Sequence, residues 1–248
     1  MTMLDYQAAP DCLQDRVILV TGAGDGIGAA VAEGLAAHGA TVVLLGRTIA
    51  KLEAVYDRIE ANGGPQPAIF PMNLEGAVAK DYDELARTLE EAFGRLDGLL
   101  HNAAYLGHLS PLNLASLDEW PKVMQTNLNG PFLMTRALLP LLKNAEDPSV
   151  VFTSADVARQ AKAYWGAYAI SLAGVERMME LFAEENDQQP IRFNSLDPGP
   201  TQTRLRQRAY PGENPNTLPE PAQLLPAYLY LLGPDSRGTT GQAFSAQG

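Results

Sequence analysis

A glycine-rich segment follows the first β-rich run of the chain and leads directly into a helical pattern. It reads Thr21-Gly22-Ala23-Gly24-Asp25-Gly26-Ile27-Gly28. Small residues let the backbone turn sharply against a pyrophosphate, and the free N–H groups and dipole of the following helix favour negative charge. A glycine pattern also occurs in ordinary βα turns, but its position after the first strand favours nucleotide binding.

A second feature indicates which nucleotide would bind. Arg47 lies 19 residues beyond Gly28, at the end of the second predicted strand, where an acidic residue would bind the ribose hydroxyls of NAD. An arginine there can instead neutralise the 2′-phosphate of NADP, and Thr48 could add a hydroxyl donor. Asp25 places a negative charge nearby, and a surface arginine needs no ligand to exist. These residues predict NADP(H) in preference to NAD(H).

The other reactive side chains do not form a competing site. The histidines at 38, 101 and 108 lack the His-Glu-x-x-His spacing of a metal site, so we expect no metal. The chain has neither a Gly-x-Ser-x-Gly nucleophile elbow nor a Gly-Lys-Ser/Thr phosphate loop. Its single cysteine, Cys12, excludes an internal disulfide and is typical of a reducing compartment.

Composition narrows the classes of partner. The 248 residues carry a formal net charge of -11, which repels nucleic acid and anionic membranes. The cluster Arg204, Arg206 and Arg208 fits a solvated helix face. The first 16 residues lack a signal-peptide pattern, and no apolar run is long enough to span a bilayer. We expect a cytoplasmic protein that acts on a small molecule.

Short β-rich runs alternate with longer helical patterns along the chain. Predicted strands cover 17–21, 41–45, 68–72, 96–101, 149–154, 191–196 and 242–245, and predicted helices cover 29–38, 49–61, 82–93, 120–142, 168–185 and 224–232. This order predicts an α/β fold with parallel strands and helices on both sheet faces, in a single domain over 1–248. The proline-rich segment from Thr203 to Pro226 reads as a mobile surface loop, either a substrate lid or a plain connection.

Further motifs follow the glycine segment in order. They are Asn73-Leu74 after the third strand, Asn102-Ala103-Ala104 after the fourth, Thr126-Asn127-Leu128-Asn129, Tyr168 on a helix, and Pro198-Gly199 after the sixth strand. The ordered set resembles the short-chain dehydrogenase/reductase family from Leu13 to Gln247. The runs Tyr164-Trp165-Gly166-Ala167-Tyr168, Leu96–Asn102 and Gly233-Pro234-Asp235-Ser236 are similar to its bacterial YciK-like branch.

The resemblance implies a Rossmann-type doubly wound sheet of about seven parallel strands, with 13–105 mainly binding the cofactor and 106–248 carrying the active site, the lid and the surface of a homodimer or homotetramer. It also assigns cofactor-binding residues along the chain. Those near the pyrophosphate are Gly22, Asp25, Gly26, Ile27 and Gly28, those at the ribose are Arg47 and Thr48, and those by the adenine are Asn73 and Leu74. Those beneath the cofactor are Asn102, Ala103 and Ala104, and those by the carboxamide or phosphates are Pro198, Gly199, Thr201 and Thr203. Asn73 replaces the usual aspartate and Ala104 a usual glycine.

The resemblance makes Tyr168 the general acid or base of a hydroxyl–carbonyl conversion. A free phenol has a pKa of about 10, and the family lowers it with a lysine four residues later on the same helix face. This chain has Leu172 at that position. A leucine supplies no charge and lowers the local dielectric, so we expect a raised pKa for Tyr168.

A second departure affects the residue that orients the substrate. The family's serine aligns with Ala155, 13 residues before Tyr168. Ser154 could replace it after a one-residue shift, although alternating strand geometry argues against this. Asn127 would support an active-site water or else satisfy helix backbone. Arg159 and Lys162 could replace the missing lysine only through an unusual backbone path.

Two functions remain open at this stage. The first is an NAD(P)-dependent oxidoreductase on an alcohol or carbonyl substrate, of low activity, with Tyr168 as proton donor and Ser154 or a water as the polarising group. The second is a catalytically inactive dinucleotide-binding protein that acts as a sensor or oligomeric scaffold. The retained motifs favour the first, and Leu172 with Ala155 favours the second.

Overall fold

Seven parallel strands form one sheet in the order β3-β2-β1-β4-β5-β6-β7 in the computed structural model, which describes residues 2–247. The strands are β1 Val17–Thr21, β2 Thr41–Gly46, β3 Ala68–Pro71, β4 Gly98–His101, β5 Ser149–Thr153, β6 Arg192–Asp197 and β7 Gln242–Ser245. The helices are α1 Gly26–Ala37, α2 Ile49–Ala61, α3 Ala79–Phe93, α4 Glu119–Met124, α5 Gly130–Lys143, α6 Gly166–Glu185, α7 Arg204–Ala209 and α8 Leu225–Leu232. The predicted doubly wound α/β fold is confirmed.

The apolar runs form strands because both faces of the sheet are covered. Every residue of β1 is buried, and alternate side chains contribute to different cores. Ile18 and Val20 pack with residues of α1, α2 and α8, whereas Val17 and Leu19 pack with residues of α3, α5 and α6. The two cores hold the carboxyl ends of the strands at one edge of the sheet.

Two segments differ from the sequence-based expectations. The helix predicted over 120–142 is divided by a π-helical turn at Gln125–Asn129, which separates α4 from α5. The proline-rich segment begins with a regular helix, α7, and continues through short 3₁₀ turns to α8. Amino-acid composition predicts a loop there because it takes no account of the helix N-cap at Thr203. The Thr203 hydroxyl accepts the Arg206 N–H at 3.1 Å. Within residues 2–247, no helix combines the length and apolarity needed to cross a bilayer.

A buried ion cluster joins three strands at the opposite edge of the sheet. Arg192, the first residue of β6, is 2% exposed, and its Nη2 lies 3.2 Å from Oδ2 of Asp147, which precedes β5. The same oxygen accepts from Nη2 of Arg16, which precedes β1, at 2.8 Å. Arg192 also donates to the Leu231 carbonyl at the end of α8 at 3.0 Å. One carboxylate therefore pairs with two largely buried guanidinium groups and with that of the more exposed Arg237, 3.3 Å away.

Asp147→Ala should lower the free energy of unfolding by about 3–5 kcal/mol, because it leaves Arg192 charged, buried and unpaired. Urea denaturation measures the change. Arg87→Ala is the matched control, since it removes ion pairs to Glu84 and Glu91 on the exposed face of α3 and should leave stability nearly unchanged. Equal losses in the two variants would contradict this role for the cluster.

Candidate active site

A cleft of about 730 Å³ opens at the carboxyl edge of the sheet. Its walls are the loops that follow β1 to β6 together with α7. In a doubly wound sheet the connections after two adjacent central strands leave in opposite directions, and ligands bind in the crevice between them. Here those strands are β1 and β4.

Thr21 at the end of β1 fixes the loop that follows β4. Its hydroxyl oxygen accepts the N–H groups of Asn102 at 2.9 Å and Ala103 at 3.0 Å, and the hydroxyl donates to the Leu100 carbonyl at 3.3 Å. The Asn102 amide donates in return to the Thr21 carbonyl at 3.2 Å. These bonds hold the floor of the cleft against the glycine loop.

The glycine loop has the geometry of a phosphate cradle. Gly22 has φ +68° and Gly26 has φ +55°, in the left-handed region that glycine adopts without strain. A Cβ at Gly22 would lie 3.0 Å from Cα of Ala103, and one at Gly28 would lie 2.3 Å from the Gly22 carbonyl oxygen. Gly28 therefore packs beneath the loop and not on the cleft wall, which Gly22, Asp25, Gly26 and Ile27 help to form. The open space above α1 fits a pyrophosphate.

The side chains around Asp25 compensate its charge. Its Oδ2 lies 2.6 Å from Nζ of Lys51 and 3.4 Å from Nη1 of Arg204, and its Oδ1 accepts the Gly26 N–H at 2.9 Å. The Lys51 hydrogen bond, followed by charge attraction, holds the pKa of Asp25 below its usual value. The negative charge of Asp25, which on the sequence alone argued against binding of a phosphate, is thus paired with Lys51 and Arg204. Sequence reasoning missed Lys51, whose only signal was its place in the first turn of α2.

The remaining cofactor candidates surround the same cleft. Its lining includes Arg47 and Thr48 after β2, Asn73 and Leu74 after β3, Asn102, Ala103 and Ala104 after β4, and Pro198, Gly199, Thr201 and Thr203 after β6. Arg47 and Thr48 are exposed, so their polar groups are accessible to a ligand. Within residues 2–247, no group of three or more histidine, cysteine, aspartate or glutamate side chains is arranged to hold a metal.

Tyr168 lies on α6 and lines the cleft beside Ser154, Ala155 and Asp156 at the end of β5. Its side chain is buried, and burial together with the charges of Asp197 and Asp156 raises the pKa of the phenol well above its ordinary value. Asp197, also on the cleft wall, has a raised pKa because it is buried. The surroundings of Tyr168 therefore favour the neutral phenol.

Leu172 packs into an apolar cluster with Tyr168, Leu106, Val157 and Trp165 and is 4% exposed. It does not line the cleft. The position that would carry a cation is filled by a well-packed apolar side chain.

The two candidate replacement cations are engaged elsewhere. Arg159 donates to both carboxylate oxygens of Glu176, at 2.8 and 3.0 Å. Lys162 contacts the Tyr210 hydroxyl and lies over the rings of Trp165 and Tyr210. Neither side chain lines the cleft, so neither replaces the missing lysine.

Ser154 has a buried hydroxyl with no hydrogen-bond partner within residues 2–247, and the residue lines the cleft. An unpaired buried hydroxyl costs about 1–3 kcal/mol, and a bound carbonyl oxygen would remove that cost. Ala155 also lines the cleft but offers no polar atom. The geometry therefore favours Ser154 as the available donor.

Asn127 belongs to the π-helical turn and not to the cleft wall. Its Oδ1 accepts the Tyr105 N–H at 2.8 Å, while its Nδ2 donates to the Tyr105 carbonyl at 3.0 Å and the Ser171 hydroxyl at 3.1 Å. Its amide therefore ties the loop after β4 to α6, the helix of Tyr168.

The outer end of the cleft contains residues that the sequence did not identify. Leu106, Trp165, Leu205 and Ala209 form an apolar wall next to Tyr168. Arg206 and Arg208 of α7 complete the rim. These residues come together only through the packing of α7, which the sequence pattern did not predict.

Comparisons with known proteins agree with this architecture. A family model described as short chain dehydrogenase matches residues 16–214. The chain is 46% identical over 244 residues to YciK, an uncharacterized oxidoreductase of Escherichia coli. The aligned region covers 98% of this chain and 96% of YciK.

Two solved structures are similar over nearly their whole length. A putative short chain dehydrogenase from Pseudomonas syringae superposes with a TM-score of 0.96 at 52% identity and covers 98% of this chain and 99% of its own. A second putative short chain dehydrogenase, from Shigella flexneri and complexed with NADP, superposes with a TM-score of 0.95 at 45% identity. The match covers 97% of this chain and 100% of the Shigella chain. The fold, the ordered motifs and these matches together establish that this chain belongs to the short-chain dehydrogenase family of oxidoreductases.

Proposed function

We propose that this chain is an NADP(H)-dependent oxidoreductase that reduces the carbonyl group of a small molecule. The observation that carries the proposal is that Tyr168 and Ser154 line the same cleft as the glycine loop and Arg47. A cofactor bound at the glycine loop and the proton donor Tyr168 can therefore act on the same substrate molecule. When bound, NADPH supplies the hydride for the carbonyl carbon.

The charges at the end of β2 support NADP(H) over NAD(H). Arg47 is exposed on the cleft wall, and no ion pair engages it within residues 2–247. Its planar fork suits a ribose 2′-phosphate, and Thr48 supplies a neighbouring hydroxyl. The NADP complex of the Shigella relative agrees with this choice.

The raised pKa of Tyr168 keeps the phenol in the protonated form that donates a proton in reduction. The same shift makes the phenol a weaker acid, and Leu172 supplies no charge to stabilise the phenolate that forms. Because one equilibrium constant links the two directions of the reaction, we infer slow reduction, with Ser154 donating to the substrate oxygen.

An inactive dinucleotide-binding protein is the second candidate function. The packing of Leu172 and the methyl group of Ala155 favour it, since both remove polar groups that the family uses. Such a protein would act as a sensor or oligomeric scaffold.

We also propose a homodimer or homotetramer. Phe132 on α5 and Ile170 and Leu181 on α6 are 45%, 43% and 53% exposed. Large apolar side chains exposed on adjacent helices suit an interface. The resemblance assigns that role to the helix of Tyr168.

Arg47→Leu should raise the dissociation constant for NADPH about tenfold while changing that for NADH little, because it removes a charge-assisted contact made only by the 2′-phosphate. Fluorescence titration of the reduced nicotinamide measures both constants. Arg58→Leu is the control, since Arg58 pairs with Glu33 away from the cleft. Equal affinity of the wild type for both cofactors would refute the preference, and binding of neither would refute both candidate functions.

Tyr168→Phe should lower NADPH-dependent carbonyl turnover by about 10²–10⁴-fold without weakening NADPH binding, because it removes the proton donor but keeps the ring. Ser154→Ala should lower turnover by a smaller factor. Initial rates on a panel of aldehydes and ketones measure both effects. The inactive-protein function is supported instead if the wild type is silent while Leu172→Lys combined with Ala155→Ser gains reductase activity. Leu172→Met controls for repacking, and thermal unfolding checks that each variant folds.

The two directions should differ in their dependence on pH. With the pKa of Tyr168 raised, the phenol stays protonated from pH 7 to 9, so kcat for reduction should be flat there. The phenolate needed for oxidation should increase about tenfold per pH unit. Leu172→Lys should shift the pH profile of kcat for oxidation to lower pH. The equilibrium constant of the reaction is the same for the variant and the wild type. A plateau below pH 8 in wild-type oxidation would contradict the raised pKa.

A further inference from the structure

Helix α7 connects the cofactor end of the cleft to its outer end. It starts at Thr203, whose Cγ2 lies 3.5 Å from the position a Cβ of Gly26 would occupy. It ends before Tyr210, whose ring centroid lies 5.8 Å from that of Trp165. Trp165 lies at the same distance, 5.8 Å, from Tyr168. The helix therefore runs from the glycine loop to the neighbourhood of the proposed proton donor.

The three arginines of α7 line the cleft but have different partners. Arg204 pairs with Asp25 at 3.4 Å, at the glycine loop. Arg206 forms two bonds of 2.7 Å to Glu213 and lies 3.8 Å over the Tyr210 ring. Arg208 is exposed and makes no ion pair within residues 2–247. Of these three arginines, only Arg208 has a guanidinium without an ion pair within residues 2–247.

The position of Arg208 places its charge at the substrate end. It follows Arg204 by one helical turn, so it lies on the same face about 6 Å further from the glycine loop. The guanidinium therefore lies on the cleft wall further along α7 from the glycine loop than that of Arg204.

The part of the cleft wall next to Tyr168 is apolar. Leu106, Trp165, Leu205 and Ala209 contribute to it, and they pack in the same cluster as Tyr168. A chain with a net charge of -11 repels anions at long range, so an anionic substrate needs a local cation of this kind.

We propose that the substrate is a carbonyl compound that carries an anionic group, a carboxylate or a phosphate, which pairs with Arg208. This inference rests on the proposed function. The carbonyl faces Tyr168 and Ser154, and an apolar stretch contacts Leu106 and Trp165. Reduction breaks the π bond of the carbonyl, forms a C–H bond with the hydride of NADPH and an O–H bond with the proton of Tyr168, and gives a hydroxy acid or hydroxy phosphate, NADP⁺ and a Tyr168 phenolate that regains its proton from solvent. The anionic group is unchanged.

Three probes of equal chain length test the anion site: hexanoate, hexyl phosphate and hexanamide. Each is titrated into the wild-type protein saturated with NADP⁺, and binding is followed through tryptophan fluorescence, to which Trp165 in the cleft wall and Trp120 contribute. The two anions should bind about tenfold more tightly than the amide, as expected for a charge-assisted contact. Arg208→Leu should abolish this difference, and Arg208→Lys should keep part of it.

Two control variants separate the site from general effects. Gln207→Leu alters the same helix at a residue that does not line the cleft, and Arg177→Leu removes a positive charge from the exposed face of α6. Both should keep the preference for anions. The inference is overturned if the wild type does not prefer the anions to hexanamide, or if Arg208→Leu weakens NADP⁺ binding and leaves the preference intact.

Turnover separates this inference from the proposed function. For 4-oxopentanoate, Arg208→Leu should raise KM about tenfold, while KM for the methyl ester and the dissociation constant for NADPH stay unchanged. Equal effects on the acid and the ester would overturn the anion site and leave the reductase function standing. Failure of the wild type to bind NADPH would instead refute the proposed function.

Discussion

The hydrogen bonds between Thr21 and the loop after β4 are the constraint on which the cleft depends. The sheet order separates the connections of β1 and β4, and the Thr21 hydroxyl then fixes Asn102 and Ala103 beneath the glycine loop. The close approach of Gly28 to Gly22 and the Asn102 amide is possible only because no side chain intervenes. The floor of the cleft is thus held by the glycine backbone together with Thr21 and Asn102, and Tyr168 and Ser154 take no part in these contacts.

The glycine loop is therefore compatible with an apolar residue at position 172 and an alanine at position 155. Leu172 is an integral part of an apolar cluster with Leu106, Val157 and Trp165, and Ala155 packs against the same cluster. A lysine ammonium at that position would require desolvation among these side chains. Leu172 and Ala155 therefore fit the same packing arrangement. That arrangement buries Tyr168, and burial is the largest cause of the raised pKa of its phenol, ahead of the charges of Asp197 and Asp156.

The sequence predicted the parts of the structure that short-range patterns determine. Strand β1 and helix α2 have the predicted bounds, because buried strands and amphipathic helices show in residue periodicity. The glycine loop and Arg47 were identified because their chemistry follows from position along a βαβ unit. The pairing of Asp25 with Lys51 and Arg204, and of Arg159 with Glu176, depends on contacts between distant segments that no local pattern encodes. Helix α7 was anticipated only in part: its arginine cluster fitted a helix face, whereas the proline-rich composition of the segment favoured a loop.

The two ends of α7 are held by different interactions, and both involve residues of the cleft. Arg204 joins the helix to Asp25 and, through Asp25, to Lys51 on α2. At the other end, Arg206 and Lys162 both lie over the Tyr210 ring, which packs beside Trp165. A helix of six residues is too short to be stable alone, so these contacts maintain it. Because the same contacts adjoin the glycine loop and Tyr168, tertiary contacts determine where α7 lies along the cleft wall.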